Sequence, residues 1–259
     1  MNESTRHSGL HQKIDRLDEP EIVVVDRFVD AILTSVEQEL TSGSWLTTKF
    51  WADAFSARLR AHHALNVEPL STVAFEAAFN AACVAAGWTT IPADSATNRF
   101  FDTIVSIPEG RTIKLSLKAT SAKNLRPNYV HISKLTEAAW IQDTRKEQDR
   151  YEKIIELFSQ YRNQTDSIFI LRCFRKNDSS LFYQLVELPT KVFEPVDHLT
   201  RAQAQAGTIP IPPDSDKPNF SIRIDRSDAK ITVTGIRIET CKIHGTWTIP
   251  KLSEAEPDS

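Results

Sequence analysis

The hydrophobic period of the sequence changes near residue 100, and this change restricts the chain to folds that pack helices against a β-sheet. Residues 102–107 and 112–119 both have the composition of strands, and the Pro-Glu-Gly-Arg between them is a turn sequence. The second strand alternates strictly, and its polar face carries Lys114, Ser116 and Lys118. The pair therefore predicts a β-hairpin with one polar face.

Apolar residues at spacings of three and four predict helices on both sides of the hairpin. Three helices precede the first strand: residues 20–41, residues from about 47 to 65, and a third that begins at the N-cap Ser71 and closes at Gly87. A long charged helix is predicted over 137–162. Further strands are predicted at 167–174, 181–188, 221–225, 230–234, 237–243 and 246–249, and a loop at 207–218.

These elements predict an α/β fold in which a central mixed sheet is flanked by helices. The 259 residues fit a single domain. Within it we expect a helical part over 20–90, a core over 100–190 and a β-rich part over 195–250. Residues 1–20 and 253–259 are expected to be flexible.

Composition indicates where such a chain works. No stretch approaches the roughly 18 uninterrupted apolar residues of a membrane span, and the first residues lack a signal pattern. The odd number of isolated cysteines suits a reducing compartment; they are Cys83, Cys173 and Cys241. We therefore expect a cytoplasmic protein without a membrane partner.

The distribution of charge is more informative than its sum. A net charge of −3 argues against a protein that coats nucleic acid non-specifically. Residues 110–136 nevertheless lack any acidic side chain. The basic residues of this strip are Arg111, Lys114, Lys118, Lys123, Arg126 and Lys134. Such a strip indicates a surface for a specific polyanion, although an ordinary solvated face has the same composition.

Asp102 at the start of the first hairpin strand and Lys118 near the end of the second are placed to converge. Hydrolysis of a phosphodiester needs an activated water and a sink for negative charge. Mg²⁺ held by one or two carboxylates supplies the sink, and a neighbouring lysine orients or deprotonates the water. The pair predicts a magnesium-dependent hydrolytic site, although a surface hairpin without function can carry the same two residues.

This arrangement resembles the PD-(D/E)XK nucleases, in which an aspartate precedes an acid-x-Lys pattern on the next strand. The acid position is here Ser116, and one carboxylate holds Mg²⁺ poorly. Glu76 on the third predicted helix is our candidate for the second carboxylate, because some members of that superfamily take a metal-binding glutamate from a preceding helix. The carbonyl of Leu117 is our candidate for a third ligand.

Short matches to one nuclease family extend on both sides of the hairpin, in the same order along the chain. They are His62-His63, Phe75-Glu76, Ala78-Phe79-Asn80, Leu117-Lys118, Ala122-Lys123-Asn124, Tyr129, His131, Ser133-Lys134, Trp140-Ile141, Leu171-Arg172, Tyr183-Gln184-Leu185-Val186-Glu187, Pro189, Cys241, His244-Gly245 and Trp247. Over roughly residues 55 to 250 the chain thus resembles the SmaI family of type II restriction endonucleases.

The resemblance implies a homodimeric, magnesium-dependent endonuclease that cuts both strands of a short palindromic DNA site and leaves 5′-phosphates. The site is CCCGGG with blunt ends in the SmaI case. The family also lacks an acid two residues before the lysine, and Glu76 falls on a matching glutamate. The chain departs from the family in its first 50 residues, in the hairpin turn and over 195–218, so recognition is less constrained than chemistry.

Candidates for DNA contact follow the second hairpin strand, where cations and amides alternate. Arg126 is our first choice for a guanine, because arginine reads guanine bidentately. The full predicted set is Lys114, Lys123, Asn124, Arg126, Asn128, His131, Lys134 and His63. An ordinary polar loop is the alternative for the residues between 123 and 128.

Two other functions fit the sequence. The chain can be a DNA-binding relative that has lost catalysis, which incubation of plasmid with protein and Mg²⁺ distinguishes. It can also be a protein-interaction domain whose basic strip meets an acidic partner, in which case no duplex gives a salt-sensitive mobility shift.

Overall fold

The computed structural model describes residues 3–94, 100–108, 110–144, 146–213 and 215–250. Within them the helices are α1 (Glu3–Ile14), α2 (Glu19–Leu33), α3 (Lys49–Leu65), α4 (Thr72–Ala85), α5 (Trp140–Asp143) and α6 (Glu147–Gln164). The strands are β1 (Glu37–Leu40), β2 (Thr89–Pro92), β3 (Thr103–Ser106), β4 (Thr112–Thr120), β5 (Tyr129–Glu137), β6 (Ser167–Arg175), β7 (Leu181–Pro189), β8 (Thr208–Ile211), β9 (Phe220–Asp225), β10 (Lys230–Arg237) and β11 (Lys242–Ile249).

The strands form two sheets. The larger is mixed, with seven strands in the order β1-β11-β7-β6-β4-β3-β2, and only the β4–β6 pair in it is parallel. The smaller is antiparallel, with the order β5-β10-β9-β8. The larger sheet and its flanking helices confirm the predicted fold class. In the smaller sheet β9 and β10 lie where strands were predicted, whereas β5, β8 and the separation into a second sheet were not predicted.

Both faces of the large sheet are covered, and β6 shows how. Ile168 and Ile170 point into a core shared with α6 and the small sheet, whereas Phe169 and Leu171 point into a core shared with α3 and α4. Because β4 runs parallel to β6 with Lys118 opposite Ile170, the even-numbered residues of β4 face the small sheet. The polar face predicted for the hairpin therefore looks toward β5.

Local signals placed the helices next to the hairpin correctly. Thr48 caps α3 by accepting a hydrogen bond from the N–H of Trp51, and Ser71 caps α4 by accepting one from the N–H of Ala74. Gly87 follows α4 with a φ of +78°, a conformation that glycine adopts without strain. The hairpin turn and strands β3, β4, β6 and β7 also lie where their patterns predict.

The predicted helix over 20–41 is wrong in its last turns. Helix α2 ends at Leu33, where the N–H of Thr34 donates to the carbonyl of Asp30. Leu40, which continues the helical spacing, instead pairs with Gly245 in the edge strand β1. Pairing with a strand distant in sequence overrides the local helical spacing of apolar residues here. The described chain has four helices and two strands before β3.

Three later predictions are also corrected. Residue Glu137 ends strand β5 rather than beginning a helix, and α6 starts only at Glu147. The predicted loop over 207–218 contains β8, and the predicted strand over 237–243 is divided between β10, a 3₁₀ turn at Ile238–Thr240, and β11. In each case pairing within a sheet, which leaves little local signal, decides the structure.

Flexibility was expected at both ends of the chain. Helix α1 lies within residues 1–20, and residues 253–259 are outside the described part of the chain. None of the described helices is long and apolar enough to cross a membrane.

Candidate active site

Asp102 lies just before β3, against the edge of β4. Its N–H donates to the carbonyl of Leu115 at 2.8 Å, directly beyond the last β3–β4 pair, Thr103 with Leu115. Its Oδ2 accepts the N–H of Leu117 at 2.6 Å and the hydroxyl of Ser116 at 3.1 Å. The side chain of Asp102 therefore extends the hydrogen bonding along the edge of β4 beyond the point where the pairing with β3 begins.

Lys118 completes this contact from the polar face of β4. Its Nζ lies 3.3 Å from Oδ2 of Asp102, and the two side chains are 22% and 29% exposed. An ion pair with that much solvent access adds little to folding stability. The position of these two charged groups therefore bears on chemistry more than on stability.

Glu76 approaches the same place from helix α4. The hydroxyl of Thr72 accepts the N–H of Ala119 at 3.4 Å, which places the first turn of α4 at the edge of β4. Glu76 lies one turn further on, on the same helix face as Thr72. Partial burial raises the pKa of Glu76, the charge of Asp102 raises it further, and Lys118 opposes the shift. The three groups therefore share one electrostatic environment.

The oxygens at this edge suit a hard cation. Among the described residues, every hydrogen bond to the Asp102 carboxylate falls on Oδ2, which leaves Oδ1 available. In a strand the N–H and C=O of one residue point the same way, so the carbonyl of Leu117 points to the edge where its N–H meets Asp102. With Glu76, these are the oxygen donors that Mg²⁺ prefers.

Among the described residues, Glu76 and Asp102 are the two carboxylates that interact at this edge. The described residues hold no cluster of three or more histidine, cysteine, aspartate or glutamate side chains that is arranged for a metal ion. A cation here would therefore depend on Glu76, Asp102 and main-chain or solvent oxygens, which is the usual situation for Mg²⁺ and not for a structural zinc site.

A cleft of about 570 Å³ opens between this site and the small sheet. One wall is formed by Thr72, Asp102 and the end of β4 from Lys118 to Thr120. The other wall is β5, where His131 and its neighbours line the opening. Burial lowers the pKa of His131, so its ring is neutral at neutral pH.

Of the residues predicted to contact DNA, His131 and Lys134 line this cleft. Asn124 and Arg126 line a second pocket that shares His131, and His63 lies apart from both. Lys134 lines the β5 wall and is ion-paired with Glu137. Lys114 lies on the polar face of β4, with its Nζ 5.6 Å from the centroid of the Phe101 ring. The loop 121–128, which joins β4 to β5, exposes Lys123, Asn124, Arg126 and Asn128.

His63 lies in a different environment. It is 9% exposed and both of its ring nitrogens are bonded, to the hydroxyl of Tyr183 and to the carbonyl of Asn66, each at 2.8 Å. Burial lowers the pKa of His63 to about 4, so the ring is neutral. These are the contacts of a structural histidine in the helical layer, and we do not include His63 in the DNA-contact set proposed below.

The sequence patterns did not identify the β5 wall of the cleft. The signal was present, because buried Val130 and Ile132 alternate with the less buried Tyr129, His131 and Ser133. It is short, and it directly follows a loop rich in polar residues. Strand β5 pairs with β10, an antiparallel partner that lies far along the chain.

Comparisons with known proteins identify a family for the chain. The profile of the SmaI family, described as type II site-specific deoxyribonuclease, matches residues 40–249. The type II restriction enzyme SmaI of Serratia marcescens is 28% identical over 219 residues, which cover 80% of this chain and 82% of that enzyme. No solved structure matches the chain.

Replacing Glu76 with glutamine should stabilise the protein in the presence of a chelator. The folded state raises the pKa of Glu76, so the ionised carboxylate costs stability at neutral pH, and Glu76→Gln removes that cost. We therefore expect Tm to rise. The advantage should vanish as the pH falls below about 4.5, where wild-type Glu76 is itself protonated. Thermal unfolding at both pH values measures this, and a lower Tm for Glu76→Gln at neutral pH would contradict it.

Proposed function

The chain belongs to the SmaI family of type II site-specific deoxyribonucleases, and we propose that it cuts both strands of a short, palindromic, G/C-rich DNA site by magnesium-dependent hydrolysis. One observation carries the proposal. Asp102 and Lys118 meet at 3.3 Å at the side of a cleft, and Glu76 interacts electrostatically with both. Two carboxylates and one ammonium at one edge are the groups that phosphodiester hydrolysis requires.

We propose that Glu76, Oδ1 of Asp102 and the carbonyl of Leu117 hold Mg²⁺. The raised pKa of Glu76 supports this, because a cation between two carboxylates would offset the repulsion that raises it. When bound, Mg²⁺ would neutralise the charge that develops on the phosphate and lower the pKa of a coordinated water.

Lys118 would act on the water. Its ammonium is held over Oδ2 of Asp102 and still faces the cleft, so it can donate to an incoming water and to a phosphate oxygen. Asp102 fixes the position of that ammonium, while the N–H of Leu117 fixes Asp102. Attack in line with the leaving 3′-oxygen would give 5′-phosphate and 3′-hydroxyl ends.

The surface around the cleft would bind the duplex. Lys114 and Lys134 would contact phosphates, as would Lys123 in the loop 121–128. Arg126 would read a guanine, and the amides Asn124 and Asn128 would contact base edges. His131, neutral and on the cleft wall, would accept or donate one further hydrogen bond.

A palindromic site suits two copies of the chain. In a homodimer with two-fold symmetry, each active site would face one strand of the palindrome. We propose CCCGGG, cut at its centre to leave blunt ends, as the first site to test, because the SmaI family is the one to which the chain belongs.

Loss of either charged partner should abolish cutting and leave binding intact. Lys118→Met and Asp102→Asn should each lower the cleavage rate by about 1000-fold or more, because each removes a group that acts on the water or the metal. The asparagine can still accept the N–H of Leu117, so the hairpin should fold. Single-turnover cleavage measures the rate, and a mobility shift in Ca²⁺ should give a Kd within about threefold of wild type.

Lys49→Met is the matched control, because Lys49 is an exposed lysine on α3 that pairs with Asp53 away from the cleft. It should cut at the wild-type rate. Cleavage by Lys118→Met at a comparable rate would remove Lys118 from the site.

The ends of digested plasmid test the proposed site and cut position. Wild-type protein with Mg²⁺ should linearise a plasmid that carries a single CCCGGG, and should leave one that lacks it intact. Sequencing should find blunt ends with 5′-phosphates. Cutting at a different palindrome would correct the recognition site alone, whereas binding without cutting in several divalent metals would contradict the proposed chemistry.

A further inference from the structure

Arg172 is a fully buried cation on β6, with 0% exposure. No carboxylate in the described residues forms an ion pair with it. Burial lowers its pKa from the ordinary arginine value, yet arginine stays charged in proteins. Burying a charge without a counter-ion costs folding free energy unless many dipoles surround it. The hydrogen-bond partners of Arg172 therefore indicate its role.

Its partners are the main chain of one loop. Nη2 donates to the carbonyls of Arg126, Pro127 and Tyr129 at 2.6, 3.2 and 2.9 Å. Nη1 donates to the carbonyl of Pro127 at 3.2 Å and to the side-chain oxygen of Gln184 at 2.6 Å. The guanidinium also lies 4.8 Å from the centroid of the Phe174 ring, which supports its plane.

The remaining carbonyl of this run is also occupied, since Asn128 accepts the N–H of Ile238 at 3.0 Å. Four consecutive carbonyls at residues 126–129 are therefore fixed, and three of them depend on one guanidinium. The side chains of Arg126 and Asn128, by contrast, are exposed. The backbone is held from within, while the residues proposed to read bases are left to face outward.

The same arginine is tied to the catalytic strand. Arg172 pairs in register with Thr120, the last residue of β4, two positions beyond Lys118. Arg172 lies on the same face of β6 as Ile168 and Ile170. This is the side of the sheet where Lys118 and the cleft lie. One rigid element thus supports both the loop and the strand that carries the chemistry.

We propose that Arg172 is a positioning residue that pre-organises the loop 121–128 for reading the DNA site, and that it thereby sets site discrimination. This inference rests on the proposed function. A flexible loop would have to be ordered when DNA binds, which weakens correct contacts and lets the loop adapt to incorrect bases. A loop fixed by Arg172 presents Arg126 and Asn128 in one arrangement only.

The test compares Arg172→Met and Arg172→Lys with wild type. Methionine keeps an unbranched side chain but removes the charge and all donors. Lysine keeps the charge, but its ammonium cannot reproduce the planar fork that serves four acceptors. In DNA-free protein, the exchange measurement at 122–129 follows the amides of Leu125 and Tyr129, which donate to the carbonyls of Ala122 and Arg126. Their hydrogen exchange should accelerate at least about tenfold in Arg172→Met, and by less in Arg172→Lys.

Cleavage provides the second measurement. The ratio of kcat/KM between the preferred site and sites with one altered base should fall by about tenfold or more in Arg172→Met, the range of one lost base contact. KM for the preferred site should rise more than kcat falls, because Glu76, Asp102 and Lys118 are unchanged. Arg172→Lys should recover part of the discrimination.

Leu185→Ala is the control for general loss of stability. Leu185 is fully buried on β7 in the core beneath α3 and α4, where it faces away from the loop. All variants are compared at temperatures well below their own Tm. Leu185→Ala should keep the wild-type discrimination and slow exchange at 122–129.

The exchange and cleavage measurements can each overturn the inference. Normal exchange at 122–129 or normal discrimination in Arg172→Met would overturn the inference, as would an equal loss of discrimination in Leu185→Ala. If wild-type protein cuts no duplex, the proposed function fails together with the role in DNA reading, and the exchange measurement then decides whether Arg172 fixes the loop.

Discussion

The hydrogen bond from the N–H of Leu117 to the carboxylate of Asp102 is the contact on which the site depends. Strand β3 begins at Thr103, opposite Leu115, so within the described residues the edge of β4 beyond Leu115 has no strand partner on this side. The carboxylate of Asp102 and the hydroxyl of Thr72 take the place of a strand there. An edge satisfied by side chains keeps a carboxylate oxygen and a main-chain carbonyl free for other partners, which a continuous ladder would not allow.

The site and its support carry charges that folding alone does not explain. Glu76 is partly buried beside Asp102, which raises its pKa and disfavours its ionised form. Arg172 is buried, and no carboxylate in the described part of the chain forms an ion pair with it. Apolar residues in both places would favour folding. A divalent cation between Glu76 and Asp102 would offset the first cost. DNA bound to the loop that Arg172 holds would give the second charge a function.

The parts of this structure that local signals determine were predictable. Strict alternation over 112–119 and a turn sequence place Asp102 beside Lys118, and a serine cap and a glycine delimit α4. The role proposed for Glu76 came from family resemblance, since nothing in its local sequence connects α4 with β4. Strands β2 and β8 were missed although their partners β3 and β9 are close in the chain, because four residues carry little alternation. Strands β1 and β5 were missed because each depends on a partner distant in the chain. The shape of the loop 121–128 depends likewise on Arg172, which its own sequence does not reveal.

A crystal structure with Mn²⁺ in place of Mg²⁺ tests the central claim most directly, because the anomalous scattering of manganese locates the ion without reference to the protein coordinates. The account predicts one peak at coordination distance, about 2.1 Å for Mg²⁺, from a carboxylate oxygen of Glu76 and from Oδ1 of Asp102, with Lys118 beside it. A metal bound by Asp102 without Glu76, or bound elsewhere in the cleft, would contradict it.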